Sequence, residues 1–385
     1  MDFEMTQRQL ELVESFRGFA QQNFSKEKTR QWQRDQGLPD DVCQNFVREY
    51  YRHKEFESNA LEGTSGVLLD QALITEELSR YAGTALPFSN DLMNIQMLQG
   101  LDDAKLGAPL VDAYRESGRL TFALAVSEPT AGSDTMSMKT NVRTQDGKLL
   151  LNGRKTFVVN GEYAPKILVA AIDGDAPTGN HPVLSFWLIP RNLEGVSAFP
   201  INKIGQKILP FSDVVFDNVK LDSAYRLVGK EAEGFHQLFH LLETGRVLVC
   251  ATSLGLACAA MEDAVEHAAS RKAFGQPIGD FQQIEQMLVD MEVKIRNMRN
   301  LTYNAAWQMD NDSTDRRLSV ALMKRYVPAA ATEVASDALQ ILGGRGYTGN
   351  ERVSWIWQDC RGNQIAEGTD QIMVRIAAPL VKKEY

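Results

Sequence analysis

The sequence predicts an α+β chain in three parts: an N-terminal helical domain over residues 1–118, a central antiparallel β domain over 119–228, and a C-terminal helical bundle domain over 229–385. Three observations carry that reading. Apolar residues recur at helical spacing through the first part, short β-rich runs broken by Asp-Gly and Asn-Gly dipeptides fill the middle, and helical spacing returns after Gly229. A length of 385 residues also exceeds the usual size of one core, so two or three packed units are expected.

In the first part, Leu10, Val13, Phe16 and Phe19-Ala20 recur every three to four residues, as do Leu68, Leu69, Leu73, Ile74 and Leu78. Gly63 and Gly66 break the chain between these segments, and Pro87 is expected to end a later helix. In the second, strands are expected at Thr121–Ser127, Lys139–Thr144, Leu149–Leu151, Thr156–Val159, Ile167–Ile172, Val183–Ile189 and Val214–Val219. Asp146-Gly147, Asn152-Gly153 and Asn160-Gly161 read as hairpin turns, because type I′ turns demand positive φ; the result is a small antiparallel barrel or sandwich. In the third, Phe281, Ile284, Leu288, Met291, Ile295, Met298, Thr302 and Ala305 form a seam of alternating three- and four-residue steps, as bundle helices require. Helices around 233–270 and 315–342 flank it.

Composition excludes several classes. Apolar residues at 44% and charged residues at 24% describe an ordered globular chain. Forty-one basic against fifty acidic residues, a net charge of −9, argue against a general binder of nucleic acid or anionic membrane. No apolar run approaches the roughly eighteen residues of a membrane span, and Met1-Asp2-Phe3-Glu4-Met5 lacks the basic flank of a signal peptide. Cys43, Cys250, Cys258 and Cys360 are scattered without a CxxC pair, which suits buried fillers in a reducing cytoplasm and offers no metal site.

Candidate chemistry lies in separate segments. Gly344-Arg345-Gly346-Tyr347-Thr348-Gly349 satisfies GxGxxG, but Ala330–Leu342 before it has helical spacing, so a dinucleotide fold is not expected; the glycines signal a helix end and a close backbone approach. Ser127–Asp134 is a turn-rich loop of small hydroxyls at a strand end. Arg271–Ile278 follows a helix and ends in Pro-Ile. Glu367 stands beside Gly368 on a short linker before the last helix.

Together, Ser127–Asp134, Asn152–Gly161 (NGRKTFVVNG), Arg271–Gln282 (RKAFGQPIGDFQ), Gln340–Tyr347 (QILGGRGY) and Glu367–Thr369 resemble the acyl-CoA dehydrogenase family, in the family's order and over essentially the whole chain. The resemblance implies helices, a β-barrel domain and a four-helix bundle, with FAD as cofactor. Ser127, Gly132 and Ser133 would contact the flavin and its ribityl chain, and Phe157 and Val159 would lie beside the ring. Arg271, Phe274 and Gln282 would hold the pyrophosphate and adenosine end and, like Gln340, Gly343 and Gly344, would come from a neighbouring subunit; Thr369 is a further cofactor contact. An oligomer follows, a homotetramer built as a dimer of dimers. Glu367 matches the base that removes the proton α to the thioester carbonyl, Gly368 gives it backbone freedom, and Ser133, Glu243 and Arg246 would touch the CoA substrate. An electron-transferring flavoprotein is the implied partner.

This chain also departs from the family's pattern. Phe157-Val158-Val159 lacks the usual threonine hydroxyl near flavin N5, which would lower the flavin potential and favour enoyl-CoA reduction. Asn59–Gly66 replaces the customary N-terminal wall of the acyl pocket. A fainter likeness to the crotonobetainyl-CoA reductase branch rests on Met1-Asp2-Phe3, Met298–Leu301 and Ala305–Trp307 and hints at short or polar acyl groups. The competing readings are a flavin oxidase or monooxygenase on the same fold, separated by fast reoxidation in air, and a non-catalytic binding homologue, which would be colourless.

Overall fold

The computed structural model describes residues 5–53, 67–100, 104–174, 183–227 and 234–385. Local sequence sets the first elements. Thr6 and Gln9 form a reciprocal capping box that starts α1 (Gln7–Asn23), Ser25 caps α2 (Lys26–Asp35), and Gln36 ends α2 in the left-handed conformation. α3 (Asp40–Arg52) follows, with its Val42, Cys43, Phe46, Val47 and Tyr50 face buried. α4 (Val67–Ala82) is buried on nearly every side, so its acids need partners: Asp70 meets Arg8, Glu77 meets Arg17, and Glu76 meets Arg299. Pro87 does not end a helix. α4 already stops at Gly83 (φ 63), and Pro87 instead accepts the amide of Asp91 at the start of α5 (Phe88–Gly100), before α6 (Ala104–Ser117). Gly63 and Gly66 lie outside the described residues.

The central part is a mixed sheet, which corrects the antiparallel barrel. Its strands are β1 (Phe122–Ala125), β2 (Asn141–Gln145), β3 (Lys148–Val159), β4 (Lys166–Asp173), β5 (Leu184–Pro190), β6 (Val196–Ile201) and β7 (Phe211–Leu221). The order is β1-β4-β2-β3-β7-β6 with β5 on β4, and both β1 and β2 run parallel to β4. Among the described residues, no pairing closes β1 onto β6. Dipeptide turn signals specify only local hairpins, and β4's partners are chosen by burial of its all-apolar Ile167–Ala171 run.

Asp146 (φ 51) and Gly147 (φ 70) do make the expected hairpin between β2 and β3. Asn152-Gly153 does not turn: β3 runs straight through it, with a bulge at Gly153, where a Cβ would sit 2.3 Å from Thr140 Oγ1. Asn160-Gly161 leads from β3 to β4, which are not neighbours in the sheet. β6 was hidden by its Pro200, which is tolerated because β6 is an edge.

The third part is built on α7 (Gly234–Ser270). It is long and apolar enough to cross a membrane, yet 83% of that stretch is buried inside the molecule, so it is a core helix. α8 (Gln282–Asp310) buries Met291, Ile295, Met298, Thr302 and Ala305 as its seam predicts, while Phe281, Ile284 and Leu288 stay half-buried. α9 (Arg316–Leu342), α10 (Arg352–Asn363) and α11 (Asp370–Glu384) complete the chain; α4 packs against α7 and α8, so the bundle recruits an N-terminal helix. Between α7 and α8 lies a small hairpin, β8 (Lys272–Ala273) and β9 (Gln276–Pro277). All four cysteines are buried and free.

One buried carboxylate ties the three parts. Asp359 of α10 accepts hydrogen bonds from Thr84 Oγ1 (2.9 Å) and the Ala85 amide (3.0 Å), next to α4, and from the Gln206 amide, between β6 and β7.

A second buried acid is compensated less completely. Burial pushes Asp91 up to about 7, against the pull of Arg119. Its folded pKa therefore lies above the unfolded value, the native state binds the extra proton, and stability falls as pH rises from about 4 to about 7. Asp91→Asn is expected to raise stability at pH 8 by up to roughly 4 kcal/mol and by much less at pH 5, which thermal melts at the two pH values would check.

Candidate active site

The link between α10 and α11 carries Glu367 in the left-handed conformation (φ 55), followed by Gly368 (φ 101) and by Thr369, whose hydroxyl caps α11 by accepting the Ile372 amide. A glutamate rarely adopts that backbone unless the surroundings impose it. Two buried cations do so. Arg246 Nε of α7 donates to the Glu367 carbonyl at 2.9 Å, and Lys324 Nζ of α9 donates to the carbonyls of Asn363 (2.9 Å) and Gly368 (3.1 Å). Arg246 is 7% exposed and Lys324 is 0% exposed, so neither charge is left to water.

The Glu367 carboxylate fills a hollow on α7 where Gly245 lacks a side chain. A Cβ at Gly245 would lie 2.8 Å from Glu367 Oε2 and 2.6 Å from Met93 Sδ of α5. The residue as a whole keeps some exposure, but its carboxylate is closed in, and burial pushes its pKa above the ordinary glutamate value while Arg246 and Lys324 pull part of the way back.

The structure thus brings Glu367, Gly368, Thr369 and Arg246 together, with Glu243 half-buried one turn earlier on α7. Arg246, expected at the substrate, donates through Nε to the Glu367 carbonyl. Sequence reading missed Lys324, Gly245 and Met93. The first was detectable as a lysine on a helix face whose Val320, Ala321, Met323 and Val327 are all apolar, and the second as a helix-interior glycine, costing about 1 kcal/mol against alanine.

A second group surrounds the Ser127–Ser133 loop. Glu128 accepts the amides of Lys139 (2.8 Å) and Thr140 (2.9 Å) and the ammonium of Lys155 (2.9 Å), which also reaches the Val126 carbonyl (2.8 Å). Burial alone would raise Glu128, but Lys155 and these donors outweigh it and hold the carboxyl below its usual range; burial draws Lys155 down to about 8. The Ser127 carbonyl accepts the Thr156 amide at 2.8 Å, and Glu128 and Ala131 bridge each other, leaving Gly132 and Ser133 exposed. With Lys155 turned inward, a register shift between Lys155 and Val158 turns Phe157 outward, 61% exposed and at φ 56. Val159, half-buried, pairs with Phe211 of β7.

A third group sits at one end of the bundle. Arg271 is exposed at the end of α7, the β8–β9 hairpin displays Phe274 at its tip (98% exposed, φ 53), and exposed Gln282 opens α8. α9 ends there as well: Gln340 lies in its last turn, Gly343 (φ 60) caps it, and a Cβ at Gly343 or Gly344 would meet nothing within 4 Å. Burial lowers His267, and Arg345 and Arg271 lower it further, which puts both arginines at this end. GRGYTG therefore follows a helix, as read from the sequence. An arginine, two open glycines and an exposed aromatic set edge-on against Phe281 suit an anionic ligand with a flat ring system lying outside this chain's own core.

Among the described residues no His, Cys, Asp or Glu cluster could hold a metal. A cleft of about 390 Å³ lined by Tyr163, Lys203, Lys207 and Phe211 contains none of the three groups.

Residues 123–219 match the family model for the acyl-CoA dehydrogenase middle domain, and residues 232–381 match that for the acyl-CoA dehydrogenase C-terminal domain. A probable acyl-CoA dehydrogenase of Escherichia coli K12, YdiO, is 34% identical over 388 residues, covering 100% of this chain and 99% of that one. The crystal structure of an acyl-CoA dehydrogenase from Slackia heliotrinireducens superposes with a TM-score of 0.88 at 46% identity, covering 100% of this chain and 99% of that one. Butyryl-CoA dehydrogenase from Megasphaera elsdenii gives 0.87 at 27% identity, with coverage of 99% and 100%.

The Glu128–Lys155 pair yields a prediction. Glu128→Gln strands the Lys155 charge in the interior and is expected to cost about 3–5 kcal/mol, measured by denaturant unfolding. Glu128→Gln combined with Lys155→Met should recover part of that loss.

Proposed function

This chain belongs to the acyl-CoA dehydrogenase family, and from that premise we propose that it catalyses FAD-dependent α,β-dehydrogenation of an acyl-CoA thioester, or the reverse reduction of an enoyl-CoA, with Glu367 as the base at the α carbon. The observation that carries this reading is the Glu367 carboxylate lodged against Gly245, with its backbone fixed by Arg246 and Lys324.

Glu367 receives the α proton, and its raised pKa suits that task near neutral pH. The Glu367 N–H donates to no acceptor among the described residues, so it is available to the thioester oxygen as negative charge develops there. Ser127, Gly132, Ser133, Phe157, Val159 and Thr369 would hold FAD from this subunit, and Arg271, Phe274, Gln282, Gln340, Gly343 and Gly344 from an adjacent one in a homotetramer. Bound there, FAD supplies the acceptor for the β hydride. Ser133 and Glu243 lie toward the CoA arm. Electrons then pass to or from an electron-transferring flavoprotein. The Asn59–Gly66 segment, which bears on acyl length, lies outside the described residues.

Anaerobic titration of the purified protein with a panel of acyl-CoAs and enoyl-CoAs tests this reading. Bleaching of the flavin band by an acyl-CoA, or its return on adding an enoyl-CoA, is expected, with slow reoxidation in air. A colourless protein, or a flavin that no thioester alters, overturns it.

Two variants sharpen the test. Glu367→Gln should keep FAD and lose flavin reduction by at least about 10³-fold, followed by stopped-flow absorbance. Gly245→Ala places a methyl where the carboxylate sits and should cost about 10–100-fold in reduction rate. Its stability should change by no more than about 1 kcal/mol, because alanine favours the helix.

A further inference from the structure

Lys324 is fully buried in the middle of α9, among Val320, Ala321, Met323 and Val327. Its ammonium donates to two backbone carbonyls, Asn363 O at 2.9 Å and Gly368 O at 3.1 Å, and to no carboxylate. A methionine would fill the same space at no electrostatic cost, since a buried ammonium pays several kcal/mol in desolvation. Packing alone therefore does not account for a lysine here. The two carbonyls it joins are the last residue of α10 and the glycine after Glu367, so one charged group fixes the chord of the link that carries the base.

We propose that Lys324 is a positioning residue for Glu367: by bridging Asn363 and Gly368 it holds the link in the left-handed turn that directs the carboxylate into the Gly245 hollow. This rests on the reading of Glu367 as the base. Arg246 grips the same turn from α7 at the Glu367 carbonyl, so the base is held between two helices.

The lysine also acts through its field. The charged and titratable groups around this turn are Arg246, Glu243 and Cys250 from α7, Arg317 from α9, Asp370 from α11, and Glu367 itself. Asp370 is shared with Arg325 at 3.7 Å and accepts Gln364 Nε2, which leaves Lys324 as a cation acting on Glu367 from the α9 side. A nearby cation favours the carboxylate, so removing Lys324 raises the pH at which Glu367 becomes ionised.

The test compares FAD-loaded wild type, Lys324→Met and Lys324→Arg by hydrogen exchange across residues 364–369 and by the pH dependence of turnover. In Lys324→Met the link should exchange faster, kcat should fall about 10–100-fold with KM little changed, and the acid limb should move to higher pH. Lys324→Arg should return the acid limb toward wild type. A Lys324→Met enzyme that melts earlier but keeps the wild-type acid limb and exchange overturns the proposal, because the lysine would then be structural only. Where Lys324→Met does not fold, Lys324→Gln undergoes the same measurements. If the wild type is reduced by no acyl-CoA, the reading of the reaction fails, while the exchange comparison still decides whether Lys324 holds the link.

Discussion

The geometry of the site depends on a turn that its own sequence would not hold. Glu367 at φ 55 and Gly368 at φ 101 stand between two helices, and a free chain would seldom keep a glutamate in that backbone. The turn persists because Arg246 and Lys324 are buried beside it and spend their hydrogen bonds on its carbonyls. Each cation is costly to bury and each carbonyl would be costly to leave unpaired, so they compensate one another. The carboxylate stays off the backbone and faces the hollow at Gly245.

That arrangement needs α7, α9 and the end of α10 to stay in register. α7 is buried on nearly all sides and supplies Gly245 and Arg246 one after the other, so the hollow and the clamp come from adjacent positions of a rigid element. α10 is fixed at Asp359, which binds amides near α4 and β6 at once. The Ser127–Ser133 loop is fixed by the same device on a different scaffold. A buried carboxylate, Glu128, collects two amides and a lysine, and the Lys155 that satisfies it comes from the bulge that turns Phe157 outward.

Much of the helical architecture was legible in the sequence, because burial on one face of a helix leaves a periodic record: Met291, Ile295 and Met298 are read directly from spacing and are buried. The sheet was legible strand by strand and not as a topology. Asp146-Gly147 turns, but Asn152-Gly153 bulges, since the same dipeptide meets either demand for an unusual φ and only the neighbouring Thr140 distinguishes them. The parallel pairings of β4 join strands far apart in the chain, where no dipeptide signal reaches. At the site, Glu367 was legible through the ordered pattern of segments in the chain. Lys324 was not, because its partners are carbonyls, and a backbone acceptor leaves no trace in residue identity.

The backbone itself marks what residue types do not. Among the described residues, nine other than glycine have positive φ. Six of them, Gln36, Asp146, Asn160, Gln206, Asn218 and Asp312, are amides or short acids of the sort that turns and helix ends commonly recruit, and local hydrogen bonding explains most such positions. The remaining three are Phe157, Phe274 and Glu367. Phe274 with Gly275 (φ 90) makes the two-residue turn that lets Ala273 pair with Gln276, and the rings of Phe157 and Phe274 both point outward, 61% and 98% exposed. The family resemblance implies that all three lie at the cofactor or the reacting carbon. Phe157 thus combines positive φ with an exposed ring, whereas Glu367 combines positive φ with a buried carboxylate. A protein that held Phe157 and Phe274 outward for packing would bury them, and this one does not.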